Sequence, residues 1–159
     1  MDQKKIDKAM FGAGCFWGVQ KAFDQVEGVI STYVGYSGGQ TKNPTYEEVC
    51  TDQTGHVEVV LIEYDPDQVS YDQLLKVFWK VHDPTTTNRQ GPDVGRQYRS
   101  VIFYFTDRQK AAAEVAKDKL TRSGQYRDKI VTMIEPAGEF YKAEDYHQKY
   151  YLKNLHATC

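Results

Sequence analysis

Lys5-Ile-Asp-Lys-Ala-Met-Phe11-Gly-Ala-Gly-Cys15-Phe-Trp-Gly-Val19-Gln-Lys-Ala-Phe23-Asp-Gln-Val26 is the stretch whose reading settles the fold class. Lys5–Phe11 reads as a strand, and Gly12 and Gly14 then punctuate the chain. Phe16, Val19, Ala22, Phe23 and Val26 follow at the three- and four-residue intervals of one helical face, and Gly28 stops the helix. Cys15 is thereby set at the helix mouth, where backbone N–H groups lack intrahelical partners and the positive end of the dipole favours an anion. A thiol so placed is expected to titrate below its ordinary value of ~8.5 and to act as a nucleophile. Two adjacent bulky aromatics, Phe16 and Trp17, cannot both point into one core. At least one is expected to face solvent or a pocket beside Cys15.

Outward from this unit, Val29–Tyr36 alternates as a second strand, residues 37–45 form a long turn, and Tyr46–Cys50 reads as a short turn or strand. His56–Tyr64 is rich in β-formers and puts His56, Glu58, Val60 and Ile62 on one face. Ser70 caps a helix running to about Val81, with Leu74, Leu75, Phe78 and Trp79 facing inward. Residues 82–99 show no periodicity, and an irregular loop of that length in a compact domain points to function. Ser100–Phe105 is a strand, Thr106 or Asp107 caps a helix through about Thr121, Ile130–Ile134 is another strand, and Ala143–Asn154 reads as a last helix. The pattern predicts an α+β fold: a two-layer sandwich with a ferredoxin-like core, a mixed sheet and long irregular loops. One domain spanning 1–159 is expected, with 155–159 a flexible tail.

Composition narrows the function classes. A net charge of -2 from interspersed charges, with no basic block, argues against nucleic acid as a partner. No segment approaches the ~20 apolar residues needed to span a bilayer, and Met1-Asp-Gln-Lys-Lys-Ile-Asp-Lys8 lacks the apolar core of a secretion signal, so a soluble cytoplasmic protein is expected. Three cysteines without a CxxC pair fit neither a disulfide scaffold nor a structural zinc site, so neither a metal nor another cofactor is expected.

Gly14-Cys-Phe-Trp-Gly18 resembles the active-site motif of the type A peptide methionine sulfoxide reductases (the MsrA family). The resemblance continues in order through Gly35-Tyr-Ser-Gly-Gly39, Asn43-Pro-Thr-Tyr46, Val49-Cys-Thr51, Thr54-Gly-His-Val-Glu58, Phe78-Trp79, His82-Asp-Pro84, Gln90-Gly-Pro-Asp93 and Gln97-Tyr-Arg-Ser100. It implies a reductase acting on the S epimer of methionine sulfoxide in oxidised proteins, and so a role in protein repair after oxidative stress.

A sulfoxide oxygen leaves poorly unless it is protonated, so an acid is required. The family gives that role to the position of Glu58, held protonated by apolar surroundings. Tyr46 and Tyr98 match the tyrosines that hydrogen-bond the sulfoxide oxygen, Phe16 and Trp17 the aromatic wall around the methyl group, and Asp93 the residue that binds the substrate backbone N–H. Attack by Cys15 leaves a sulfenic acid, which a second thiol condenses to a disulfide. The resemblance implies Cys159 as that thiol and thioredoxin as the reductant of the disulfide, in a monomeric enzyme. Cys50 is the competing resolver, although its place after Val49 suits a buried structural cysteine better. Two other readings remain: a cysteine hydrolase with His56 or His147 as base, and a non-catalytic module that binds methionine or its sulfoxide.

Overall fold

The computed structural model describes residues 5–150. The elements run β1 (Asp7–Ala13), α1 (Phe16–Asp24), β2 (Val29–Ser37), α2 (Tyr46–Cys50), β3 (Val57–Tyr64), α3 (Tyr71–Lys80), a small hairpin of β4 (Arg89–Gln90) and β5 (Asp93–Val94), β6 (Ser100–Tyr104), α4 (Asp107–Arg122), β7 (Met133–Pro136) and β8 (Tyr141–Lys142). Single 3-10 turns lie at Arg96–Tyr98 and Asp145–His147.

Six strands form one sheet in the order β7-β6-β1-β3-β2-β8. All pairings are antiparallel except β6 with β7, so the sheet is mixed, as expected. In its centre, β6-β1-β3-β2, the two crossovers β1-α1-β2 and β3-α3-β6 give the split βαβ arrangement of a ferredoxin-like core.

Period-two alternation decides which side chains meet the helices. Ala9, Phe11 and Ala13 of β1 join Phe16, Val19 and Phe23 of α1, Leu74, Leu75 and Phe78 of α3 and Ala113 of α4 in the larger core. Phe11 sits between Phe23 and Phe78, with ring centroids 5.5 and 5.0 Å away. The opposite face carries a second cluster of Met10, Val57, Val59, Val101 and Phe103, covered by Ala137 and Phe140. Both faces of β3 are therefore buried, which the sequence reading did not foresee.

Helix starts follow their caps. Ser70 Oγ accepts from Gln73 N–H at 3.1 Å while Gln73 Oε1 accepts from Ser70 N–H at 2.8 Å, a reciprocal box that begins α3 where expected. The same device at Thr45 and Glu48 makes α2 a helix rather than a turn or strand.

The last helix expected over Ala143–Asn154 does not begin where expected: residues 143–149 are not α-helical, and helix first appears at Tyr150. Asp145–His147 is a 3-10 turn, and Lys149 has φ +57. Gln148 takes the place of local helical bonds with tertiary ones, accepting from Val34 N–H at 2.9 Å and donating to Val34 O and Ala143 O. Residues 151–159, including the expected tail, lie outside the described residues. Among those described, no helix is long and apolar enough to cross a membrane.

Candidate active site

Cys15 is the N-cap residue of α1, half-buried, as the strand-glycine-helix reading expects. Gly14 has φ +94, and a Cβ there would meet Gln90 Cγ at 2.9 Å. Only glycine both reaches that backbone region without strain and lets the 83–95 loop pack against the helix mouth. Gln90 is itself held by Asp83, whose N–H donates to Gln90 Oε1 at 2.9 Å and whose carbonyl accepts from Gln90 Nε2 at 2.6 Å. Cys15 is disulfide-bonded in this structure, and Cys50 is a free thiol.

Glu58 comes to the same point from β3. It is 1% exposed, and its Oε1 accepts from the backbone N–H of Phe16, the residue after Cys15, at 3.3 Å. Burial pushes the carboxyl up to about 8 from an ordinary 4.5, and the charge on Asp93 adds to the rise, while the Phe16 N–H pulls the other way. At neutral pH the group is mostly protonated. Its Oε2 is buried and has no partner among the described residues, so the acid has an unengaged oxygen beside the helix mouth.

Two phenols flank this carboxyl. Tyr46 begins α2 and Tyr98 ends the Arg96–Tyr98 turn; each is half-buried, and each is held above the ordinary phenol range first by burial and then by the neighbouring Glu58. Both therefore remain neutral donors. Arg96 ties their two loops together, donating to Asp52 Oδ1 from its backbone N–H and its Nε, both at 3.1 Å. Asp93, half-buried on β5, lies close enough to raise both Glu58 and Tyr98.

Cys50 departs from its expected burial: it is exposed at the end of α2, close enough to Tyr46 for the two to influence each other's titration. Desolvation nevertheless pushes its thiol up, which favours the less nucleophilic protonated form.

Phe16 is buried and Trp17 half-buried, so the two aromatics do part company. Phe16 faces Tyr46 at 6.3 Å between ring centroids, and Trp17 stacks on Tyr150 at 3.8 Å. Cys15, Phe16, Trp17, Tyr46, Glu58, Asp93 and Tyr98 are thus gathered around one helix end, while Cys159 lies outside the described residues.

Sequence reading passed over Glu144 and gave His147 only the role of a possible base. Glu144 accepts from Tyr46 N–H and from Tyr36 Oη, both at 3.1 Å, and His147 accepts from Trp17 Nε1 at 2.9 Å. These contacts join positions about a hundred or more residues apart, so no local pattern announces them. His56 is not a free base: Gly39 N–H donates to its Nδ1 at 3.0 Å, which leaves Nε2 to donate to Thr41 O at 2.6 Å.

The sequence model of the peptide methionine sulfoxide reductase family matches residues 7–159. The chain is 62% identical to the peptide methionine sulfoxide reductase MsrA of Methanothermobacter thermautotrophicus, over 98% of this chain and 92% of that protein. It is 53% identical to that of Geobacter metallireducens, over 98% and 96%. Among solved structures, methionine sulfoxide reductase A of Corynebacterium diphtheriae is similar with a TM-score of 0.85 at 41% identity, over 99% of this chain and 79% of that one. Reduced Mxr1 from Saccharomyces cerevisiae gives 0.89 at 36% identity, over 99% and 91%. Sharing most of its residues with the Methanothermobacter enzyme over nearly the full length of both, the chain belongs to the peptide methionine sulfoxide reductase family.

Proposed function

We propose that Cys15, as a thiolate, attacks the sulfur of (S)-methionine sulfoxide while Glu58 gives its proton to the departing oxygen. The observation that carries this assignment is the Glu58 carboxyl: buried, pushed up to about 8, anchored on Phe16 N–H and left with an unpartnered Oε2. A carboxyl in that state is an acid at neutral pH placed where oxygen leaves. Tyr46 and Tyr98 donate to the same oxygen as charge builds on it. Phe16 and Trp17 receive the methyl group, and Asp93 accepts from the substrate's backbone N–H. In balance, thiol and sulfoxide become sulfenic acid and sulfide. The sulfenic acid and a second thiol then become a disulfide and water, two electrons passing from sulfur to sulfur.

For the second thiol we favour Cys159. The reading is supported by the raised Cys50 thiol, which burial holds in its less nucleophilic protonated form. A thioredoxin is the proposed reductant; Mxr1 from Saccharomyces cerevisiae has been solved in complex with Trx2, at 26% identity to this chain. We place the enzyme in the cytoplasm as a monomeric single domain acting on oxidised proteins, without metal or cofactor.

The test offers the two enantiomers of methyl p-tolyl sulfoxide separately with a dithiol. Consumption of the S form alone, with sulfide as product, supports the assignment. Consumption of neither, or of both equally, overturns it.

A further inference from the structure

His147 is one of the largest fully buried side chains, 0% exposed, and it belongs to no role described above. Its ring sits at a junction: 4.3 Å from Tyr46, 5.2 Å from Phe16 and 5.6 Å from Trp17 between centroids. It thus touches three residues assigned to the substrate pocket, on α1 and α2. An indole N–H can only donate, so the 2.9 Å bond from Trp17 Nε1 requires Nδ1 of His147 to be the bare nitrogen. The neutral ring then carries its proton on Nε2, which is buried without a partner among the described residues. Burial lowers the imidazole below its ordinary range, which keeps the ring neutral and the acceptor available.

Trp17 is only half-buried, and among the described residues its ring meets the face of Tyr150, nearly parallel at 9°, and the His147 bond at its edge. Stacking resists tilting but permits sliding in the plane. A hydrogen bond at one edge removes that freedom.

We infer that His147 is a positioning residue for the methyl pocket, its neutral Nδ1 locking the in-plane orientation of Trp17 so that the indole is preorganised for the substrate's apolar end. This rests on the reading of Trp17 as part of the substrate wall. Glu144, three residues earlier, holds the first N–H of α2 at Tyr46, so a single 3-10 turn registers both sides of the pocket. Ground-state binding, rather than proton transfer, is what such a contact governs, and the expected signature is a change in KM with kcat nearly kept.

The test compares three variants with the unaltered enzyme, using a methionine sulfoxide peptide and a dithiol. His147→Phe keeps the stacked ring and removes the acceptor, His147→Asn keeps an acceptor near the Nδ1 position, and Trp17→Phe removes the donor. His147→Phe is expected to raise KM about tenfold, the worth of one hydrogen bond, with kcat within about twofold. His147→Asn is expected to recover most of that loss, and His147→Phe to add little in a Trp17→Phe background.

A raised KM in Trp17→Phe with no change in His147→Phe overturns the inference and leaves the wall reading standing. An unchanged KM in Trp17→Phe removes the wall reading and the inference with it. Equal losses in His147→Phe and His147→Asn overturn the acceptor role. The 15N shifts of the unaltered protein give an answer that needs no variant: Nδ1 is expected to be pyridine-like and Nε2 pyrrole-like, and the opposite tautomer overturns the inference.

Discussion

Glu58→Gln removes a titrating proton while keeping the size of the side chain and an oxygen that can accept from Phe16 N–H. The folded carboxyl titrates at about 8 against an ordinary 4.5, because burial penalises its charge. Between those values the folded protein holds a proton that the unfolded chain has released, so stability falls as pH rises through the window. At about 1.4 kcal/mol per pH unit, a difference of about 3.5 units is worth on the order of 5 kcal/mol once both limits are passed. The Gln variant carries no such term. Urea unfolding under reducing conditions, compared at a common slope from pH 5 to pH 9, reads the effect. The variant should gain on the unaltered protein by several kcal/mol across this range, most of it below pH 8. Its reductase rate should nevertheless be lower by roughly 10²–10⁴, the usual worth of a positioned acid, and it should lack the loss of rate that the unaltered enzyme shows as pH rises through about 8. Parallel stability curves within about 1 kcal/mol would refute the claim that the acid is held protonated by burial.

Tyr46→Phe and Tyr98→Phe should each lower kcat/KM about tenfold, as expected for one neutral donor, without a change in melting temperature larger than a few degrees. Because burial holds both phenols above their ordinary range, neither should contribute a titration below pH 10 in the unaltered enzyme. Gly14→Ala forces a side chain into a positive-φ site, against Gln90 at 2.9 Å, and should cost about 1–3 kcal/mol in thermal or urea unfolding as well as displacing the 83–95 loop. Cys159→Ser should halt thioredoxin-supported turnover after one cycle, whereas Cys50→Ser should turn over normally; the reverse pattern in steady-state assays would reassign the resolving thiol.

The parts of this fold that local physics dictates were legible in the sequence. The strand-glycine-helix unit around Cys15 is written in residue spacing and in Gly14, and α3 in Ser70 and its apolar stripe. Glu58 was readable as an acid only through resemblance: alternation alone places it on a strand face without showing that α1 would bury it. The expected helix does not start at Ala143 because Gln148 and His147 bond to β2 and α1, and such partners have no signature in a local window. Cys50 was misjudged for a related reason, since the Thr45–Glu48 box turns Tyr46–Cys50 into one short helix that buries Val49 and leaves the cysteine outward. Glu144 was invisible until tertiary structure brought it to the N-terminus of α2.

A single turnover by a Cys50→Ser/Cys159→Ser protein isolates the chemistry at Cys15. After one equivalent of (S)-methionine sulfoxide, intact mass and peptide mapping should find one equivalent of methionine and one oxygen atom on Cys15, trapped by dimedone as the sulfenic acid. Methionine formed while Cys15 remains an unmodified thiol, or oxygen recovered on any other residue, would contradict the assignment of Cys15 as the reducing nucleophile.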